Sequence, residues 1–411
     1  MSPRRRFRED PAISSSVPSR PSLLVLFSVV VIDLIGFGVV LPILPFYADA
    51  YGASGTVLGL LFMVHAAAQF ACAPLWGRLS DRIGRRPVMI ATIAGTAGSL
   101  LLLGLADSLA GLFVARVLGG SFGANVSVAS AYISDVTEEA ERTRWMGVLG
   151  ACFGVGFVLG PALGGLLEPF GYSVPMLVAA GLAAANGVHA AISLREPPRR
   201  GESAQTAAPR RRLALLRDPQ LRRLCVLNLT FSAAVTQLEV IFAYFMKDRF
   251  GWDAPRVAIL LVGMAVLMGG VQGGGMKALA ARFAERSLAA GGSLLLAISL
   301  LAVPFAPGLA WLVGALGLAA VGRAVVQPSL LSLVSATAGA RERGLAMGVF
   351  QSAGSLARVV GPVAAGVLYD LDHASPFLLA ALLLVVGSAL ARGLPVEGVG
   401  RGPAAEPAPG S

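Results

Sequence analysis

The sequence is poor in charge. Asp, Glu, Lys and Arg make up 14% of its 411 residues, whereas soluble domains usually contain about a quarter. Apolar residues make up 55%, and they run in stretches of about 20 or more, the length that crosses a hydrocarbon core of about 30 Å. An array of soluble domains is therefore excluded, and the composition indicates a bundle of membrane-spanning helices.

Cysteine and lysine are scarce as well. Cys72, Cys152 and Cys225 lie in or beside apolar stretches, and their spacing fits neither a metal site nor a disulfide framework. The lysines are Lys247 and Lys277 alone, and a Gly-x-x-x-x-Gly-Lys-[Ser/Thr] phosphate loop is missing, which argues against direct drive by ATP. A zinc motif and a haem motif are missing too. We therefore expect that the protein is not an enzyme and has no resident metal or cofactor. The expected driving force is a proton gradient.

Twelve apolar stretches are long enough to span a membrane. The first is too long for a signal peptide and contains Asp33, so we interpret it as an uncleaved span. The predicted spans are 22–48, 56–76, 87–106, 109–133, 145–167, 173–194, 221–246, 256–276, 287–305, 308–333, 344–368 and 374–392.

The positive charge of the chain, formally +10, is unevenly distributed. A nucleic-acid-binding protein would gather such charge on one surface, but here the arginines concentrate in alternate loops between the apolar stretches. The positive-inside rule places those loops in the cytoplasm. With an even number of spans, both termini are then cytoplasmic, in a multi-pass protein of the inner (plasma) membrane.

The two halves of the chain resemble each other at an offset of about 200 residues. Met146-Gly147 and Gly160-Pro161 recur as Met347-Gly348 and Gly361-Pro362. Such a duplication predicts an all-α integral membrane protein whose twelve transmembrane helices form two pseudo-symmetric six-helix bundles. The predicted parts are a cytosolic tail at 1–21, a first bundle at 22–195, a cytosolic linker at 196–219, a second bundle at 220–392 and a cytosolic tail at 393–411.

Four segments carry motifs. Gly77–Arg86 reads GRLSDRIGRR, Arg116–Asp135 reads RVLGGSFGANVSVASAYISD, Gly147–Gly165 reads GVLGACFGVGFVLGPALGG and Asp33–Pro45 reads DLIGFGVVLPILP. They resemble segments of the major facilitator superfamily: in order, the loop between helices 2 and 3, the helix-4 motif, the helix-5 motif that marks antiporters, and helix 1 of the tetracycline/proton antiporter branch. The second half matches more loosely.

The loop motif implies a conformational latch. In that superfamily its Asp and Arg join an acidic residue at the end of helix 4 and latch the two halves on the cytosolic side. We expect tight turns and close helix approach at Gly77 and Gly84. The alternative interpretation is a solvated basic loop that sets topology. The resemblance assigns the latch to Gly77, Asp81, Arg85, Arg86 and Asp135.

Ionisable groups inside spans are candidates for proton coupling, because burial is costly unless such a group faces a cavity or a partner. Asp33 lies near mid-depth of the first span, and Glu239 lies in the seventh. The resemblance assigns proton coupling to Arg116 in the fourth. The alternatives are a hydrogen-bonded structural Asp, a packing or snorkelling Arg, and a hydrated carboxylate near the surface.

Other polar residues of the spans are candidates for a substrate cavity. His65 and Gln69 lie one turn apart on one helix face, where simple packing is the alternative. Arg323 and Arg358 are unusual charges inside the tenth and eleventh spans. Such a cation could pair with an acid across the bundle or satisfy helix carbonyls, and the sequence does not decide between these roles. The predicted cavity residues are His65, Gln69, Asn125, Gln237, Gln272, Gln327, Gln351 and Arg358.

The helix-5 segment is rich in glycine, which lets helix backbones approach closely inside membranes. Pro161 bends this helix. We expect a leak-tight interface with the other half, and ordinary tight packing is the alternative. The motif residues are Gly147, Gly154, Gly156, Gly160, Pro161 and Gly164.

Together these features predict a secondary active transporter. We expect a proton-coupled antiporter that exports a drug or small amphipathic metabolite, tetracycline-like compounds included, by alternating access. Its partners are then the small molecule, protons and the lipid bilayer, without nucleic acid, and a monomer suffices. The alternatives are a proton-coupled importer of a nutrient or metabolite, and a non-transporting membrane receptor or scaffold.

Overall fold

The computed structural model describes residues 20–197, 215–337 and 343–394, and every regular element in these ranges is helical. The predicted tails lie almost entirely outside them, as do residues 198–214 of the predicted linker. The helices are α1 Arg20–Asp49, α2 Gly55–Ile83, α3 Arg85–Gly104, α4 Leu109–Phe122, α5 Asn125–Val136, α6 Glu139–Leu167, α7 Ser173–Ser193, α8 Pro219–Phe250, α9 Ala254–Gly270, α10 Met276–Arg282, α11 Glu285–Ala302, α12 Leu309–Thr337, α13 Arg343–Leu371 and α14 Ser375–Arg392.

The predicted all-α membrane fold is confirmed, with eleven of its twelve spans recognised by length and apolar character. Within the described ranges, eleven helical stretches are long and apolar enough to cross a membrane, counting α4 with α5, and α9 with α10, as one each. The twelfth is α13, which has 29 residues but carries Arg343, Arg358 and Asp370. Helices α1–α7 form the first half and α8–α14 form the second.

Polar residues set where several helices begin, as expected where backbone N–H groups lack partners. Ser54 and Ser108 accept from the N–H groups of the first turns of α2 and α4. Asp218 caps α8 and Asp253 caps α9, and each is followed by a proline within the first two helical positions. These caps fix the residues at which the four helices begin.

The prediction of a tight turn or a close helix approach at Gly77 is wrong. Helix α2 continues through the motif to Ile83, and a Cβ on Gly77 would meet open space, so no turn or close contact needs this glycine. Gly84 does form the turn, with φ of +114°, a conformation that only glycine adopts easily.

Two predicted spans are also interrupted. The fourth span breaks between α4 and α5 at Gly123 and Ala124, and the eighth contains a π-helical turn at Val271–Gly275. Both interruptions coincide with glycines, which hold helical conformation weakly.

The halves repeat the same packing. Gly160 of α6 meets Gly38 of α1, and in the second half Gly361 of α13 meets Thr236 of α8. Arg86, at the start of α3, donates to the carbonyl of Ala191 (2.5 Å) at the end of α7. At the offset of 200, Arg286 donates to the carbonyl of Leu394 (3.1 Å) after α14. The internal duplication is thus visible in three dimensions.

The two halves pack unequally along the bundle. We call the end where α2 meets α3 the motif end, and the end where α1 meets α2 the opposite end. At the opposite end, a Cβ on Gly59 would lie 2.3 Å from the carbonyl oxygen of Pro362, and a Cβ on Gly366 would lie 2.0 Å from that of Gly55. Helices α2 and α13 are therefore in backbone contact there.

The buried apolar residues give the same picture. One cluster joins the opposite end of the first half, including Ile43 and Leu58, to residues throughout the second half, including Phe245 and Phe350. A second cluster, around Tyr132, belongs to the first half alone and lies toward the motif end. The halves therefore share a core at the opposite end and have separate cores at the motif end.

Candidate functional site

Asp33 lies inside the first span and faces the start of α5. Because the fourth span breaks at Gly123 and Ala124, Asn125 becomes the first residue of α5, where it is 4% exposed. Its Nδ2 donates to Oδ1 of Asp33 at 2.6 Å, and its own Oδ1 is buried without a hydrogen-bond partner. Among the described residues no cation pairs with Asp33. The predicted coupling residue and a predicted cavity residue therefore form one unit.

Arg116 is buried between α2 and α4. It is 5% exposed, and its guanidinium lies 5.5 Å from the ring centroid of Phe62. Its Nε donates to the carbonyl of Leu61 at a long 3.4 Å, and the described carboxylates form no ion pair with it. A buried guanidinium with so few partners is costly to hold. Its burial excludes a snorkelling arginine, and its role in proton coupling remains a prediction.

His65 and Gln69 connect helices rather than project freely. Nδ1 of His65 lies 3.2 Å from the carbonyl oxygen of Arg116, and Nε2 of Gln69 donates to the carbonyl of Gly123 at 2.5 Å. A Cβ on Gly120 would lie 2.1 Å from the backbone carbonyl oxygen of His65, so α2 and α4 are in close contact. Gln69 therefore bonds at the break between α4 and α5, whereas His65 contacts the middle of α4. Their predicted cavity role remains a prediction.

The second half contributes a charged pair that the sequence did not reveal. Nη2 of Arg323 in α12 lies 2.6 Å from Oε1 of Glu239 in α8, with side chains 26% and 32% exposed. Arg358 of α13 donates to Oγ of Ser355 at 3.1 Å. Glu239 is thus a paired carboxylate, not the hydrated surface group that the sequence left open.

The predicted glutamines are spread out. Gln237 is 2% exposed and its Nε2 donates to the carbonyl of Gly361 (3.4 Å), while its Oε1 is buried without a partner. Gln351 is exposed on α13, as is Gln327 on α12. Gln272 is exposed within the π-helical turn. The structure does not gather this set into a single cluster.

A pocket lies between the two halves. Its walls come from α1 and α6 on one side and from α8, α9 and α12 on the other, and they are apolar except for Glu239 and Arg323. Phe157 and Pro161 of the helix-5 motif face Met264 of α9 across it. An apolar cavity with a few placed charges at the interface of two bundles is the usual form of a small-molecule site.

The loop-motif residues form one cluster at the motif end. Arg85 pairs with Asp81 (2.5 Å) and with Asp135 (2.8 Å), and it also donates to Ser80 (2.6 Å). These bonds connect α2, α3 and α5, all in the first half. The predicted cluster of Asp81, Arg85 and Asp135 is therefore present, and its role as a latch between halves remains a prediction.

Glu196 completes this cluster, and sequence reasoning missed it. Its carboxylate accepts from the backbone N–H groups of Arg85 (2.6 Å) and Arg86 (3.0 Å), the first residues of α3. A carboxylate is favoured at a helix N-terminus. A Cβ on Gly84 would lie 2.6 Å from the same carboxylate, so this glycine leaves room for the cap. The sequence carried no signal of it, because the partners are 110 residues apart.

The helix-5 glycines divide into two groups, and the prediction is partly wrong. Gly156, Gly160 and Gly164 contact α1, in the same half, and Gly165 contacts Ala258 of the other half. Around Gly147 and Gly154 an added Cβ would meet nothing within 4 Å. No other helix approaches α6 closely at those two glycines, because they lie on a different face of the helix.

Polar contacts join the halves at the opposite end. Asp370, near the end of α13, accepts from the N–H of Gly55 (2.7 Å), the N–H of Thr56 (2.9 Å) and the hydroxyl of Thr56 (2.6 Å). Lys247 pairs with Asp49 beside them. Asp370 therefore caps the first turn of α2 from the other half, another contact that sequence reasoning missed.

Comparisons with known proteins agree on the kind of protein. The family model described as Major Facilitator Superfamily matches residues 26–278 and 275–410. "Tetracycline resistance protein, class D" of Salmonella ordonez is 31% identical over 84% of this chain and 88% of its own. "Multidrug resistance protein 1" of Bacillus subtilis (strain 168) is 28% identical over 90% and 95%. The crystal structure of the human organic anion transporter MFSD10 (TETRAN), 28% identical, superposes with a TM-score of 0.69 over 91% of this chain and 99% of that one.

Proposed function

Because this chain belongs to the Major Facilitator Superfamily and is a multi-pass membrane transporter, we propose that it is a proton-coupled antiporter. It exports a drug or a small amphipathic metabolite, with tetracycline-like compounds among the candidates. The likeness to tetracycline and multidrug resistance proteins supports this substrate range. The proton gradient drives transport without a cofactor, and one chain is sufficient.

The observation that carries the coupling is the Asp33–Asn125 pair. Asp33 is a carboxylate inside a span of the first half. In the described structure its side chain is hydrogen-bonded to an amide and forms no ion pair with a cation. Such a group can bind and release a proton without breaking an ion pair. Arg116, also within the first half, adds fixed positive charge to the same bundle.

The unequal packing of the halves supports alternating access. The shared core and the Asp370 contacts close the opposite end, while the halves keep separate cores at the motif end. The positive-inside rule puts the motif end in the cytoplasm of the inner membrane, so this conformation receives substrate from inside. In the outward-facing conformation, the Asp81–Arg85–Asp135 cluster then acts as the cytosolic latch.

The test is drug accumulation in efflux-deficient cells that express the wild type or Asp33→Asn at equal levels. The compounds are a tetracycline, a fluoroquinolone and a cationic dye, each with and without a protonophore. We expect the wild type to lower accumulation of at least one of these compounds, and both Asp33→Asn and the protonophore to abolish the effect. Asp107→Asn, which changes an exposed carboxylate in the loop before α4, is the matched control and should behave as wild type.

The same measurement separates the alternatives. A proton-coupled importer would raise accumulation of a transported compound, and the protonophore would remove the increase. A receptor or scaffold would change accumulation of none of them. Efflux that Asp33→Asn leaves intact would contradict the coupling role proposed here.

A further inference from the structure

The charges between the two ends of the second half do not balance. Glu239 pairs directly with Arg323. Arg358 lies one turn before Gly361, whose carbonyl accepts from Gln237, two residues before Glu239. In the described part of the chain, Arg358 makes a single side-chain hydrogen bond, to Ser355. Arg323 is therefore neutralised by Glu239, whereas Arg358 has no ion pair among the described residues, and this wall of the bundle carries one excess positive charge.

Arg358 faces the space between the halves. The exposed residues of α13 fall on two opposite stripes of the helix. Gln351 and Arg358 lie on one stripe, and Pro362, one turn beyond on the same stripe, meets Gly59 of the first half. That stripe consequently faces the first half. The other stripe is apolar and suits lipid: Leu356, Val360 and Val367.

A guanidinium in this position has unused hydrogen-bonding capacity. It carries five N–H donors in a planar fork that matches a carboxylate in two-point contact. Ser355 accepts one of them. An anionic group on a substrate would both pair with the remaining donors and cancel the excess charge of this wall.

A cationic substrate would find fewer free partners here than an anionic one. Glu239 is already neutralised by Arg323, and Asp33 is held by Asn125 and is assigned to the proton in the proposed function. The remainder of the pocket is apolar, with Phe157, Phe242 and Met264 among its walls, and suits an aromatic or aliphatic body.

We propose that the transported compounds are amphipathic anions, and that Arg358 binds their negative group while the apolar pocket holds the rest. This inference rests on the proposed export function and names its substrate class. Arg323 remains paired with Glu239 and leaves Arg358 as the anion-selective residue.

The experiment measures binding to purified protein in detergent by fluorescence anisotropy at neutral pH. Fluorescein and rhodamine 123 share the xanthene ring system, but the first is an anion and the second a cation. We expect the wild type to bind fluorescein about tenfold more tightly, the difference that one charge-assisted contact makes. Arg358→Gln should weaken fluorescein binding about tenfold and leave rhodamine 123 unchanged, and Arg358→Lys should recover part of the loss.

Arg392→Gln is the matched control, because Arg392 is an exposed arginine in the last turn of α14 at the motif end. It should change neither affinity. The comparison of the two dyes on the wild type needs no variant. It therefore tests the preference for an anion even if Arg358→Gln does not elute as a monodisperse protein.

The inference is overturned if the wild type prefers rhodamine 123 or does not bind fluorescein, or if folded Arg358→Gln binds fluorescein as tightly as before. Proton-driven efflux of cations by such a protein would leave the export function standing and remove only the anion selectivity. Fluorescein binding that depends on Arg358, without proton-dependent efflux of any compound, would instead contradict the export function.

Discussion

Glu239 and Arg323 show how a charged pair is kept within an apolar bundle. Each side chain remains about a quarter to a third exposed, so both are partly desolvated on the pocket wall. A buried ion pair adds little net stability, but removing one partner leaves the other charge uncompensated. The contribution of the pair to stability should therefore appear as a coupling free energy between substitutions of its two residues.

We predict that Arg323→Leu and Glu239→Leu each lower the apparent melting temperature of the detergent-solubilised protein. The double variant should be less destabilised than the sum of the two. A coupling of about 1–2 kcal/mol is expected, between the values typical of exposed and of buried pairs. Additive effects of the two substitutions would show that the 2.6 Å contact contributes nothing to stability.

At the scale of helices, the α1–α6 contact depends on particular glycines. Gly160 lies against the backbone of Gly38, and an added Cβ would be 2.5 Å from its Cα. A backbone atom cannot move aside as a flexible side chain can. Gly154, on another face of the same helix, has open space around it.

We predict that Gly160→Ala destabilises the protein by about 1–3 kcal/mol, the usual cost of overpacking. Gly154→Ala is the matched control and should be neutral or slightly stabilising, because alanine favours a helix over glycine. Thermal unfolding of both variants in the same detergent provides the measurement. Equal melting temperatures would mean that α1 and α6 separate easily at Gly160.

At the scale of the whole molecule, Asp370 connects the two halves through the first turn of α2. Three hydrogen bonds to one carboxylate join residues more than 300 positions apart. A carboxylate at a helix N-terminus is favoured both by the free N–H groups and by the helix dipole. This contact, with the Lys247–Asp49 pair, holds the opposite end closed.

We predict that Asp370→Asn shifts the protein toward conformations in which the opposite end is open. Weakening contacts to a charged acceptor costs about 1.5–3 kcal/mol, which changes a two-state population about tenfold or more. Spin labels at Asp107→Cys and Ala310→Cys, both exposed at this end, would report a larger fraction of long distances. The three native cysteines are first replaced.

Asp372→Asn serves as the control for that measurement. Asp372 is exposed at the same end, but it accepts from Ala374 in its own turn rather than from the other half. Its distance distribution should match that of the parent. An unchanged distribution for Asp370→Asn would place the closing energy in the glycine contacts of α2 and α13 instead.

The spans, the duplication and the loop-motif cluster could all be predicted from the sequence by itself. A spanning segment must satisfy its backbone hydrogen bonds internally, so apolar length alone is enough to locate a helix. The Asp81–Arg85–Asp135 cluster was accessible because its residues belong to a motif of known arrangement. The sequence also pointed to Asp33 and Arg116, since charge inside a span is rare.

Only the tertiary structure decided which groups meet. The pairing of Glu239 with Arg323, the capping of α3 by Glu196 and that of α2 by Asp370 each join residues far apart in the chain. It also separated Gly160, which lies against α1, from Gly147, where an added Cβ would meet nothing within 4 Å. The physical reason is that helix formation is local in the chain, whereas a contact depends on the rotation of two helices about their axes, which their packing determines.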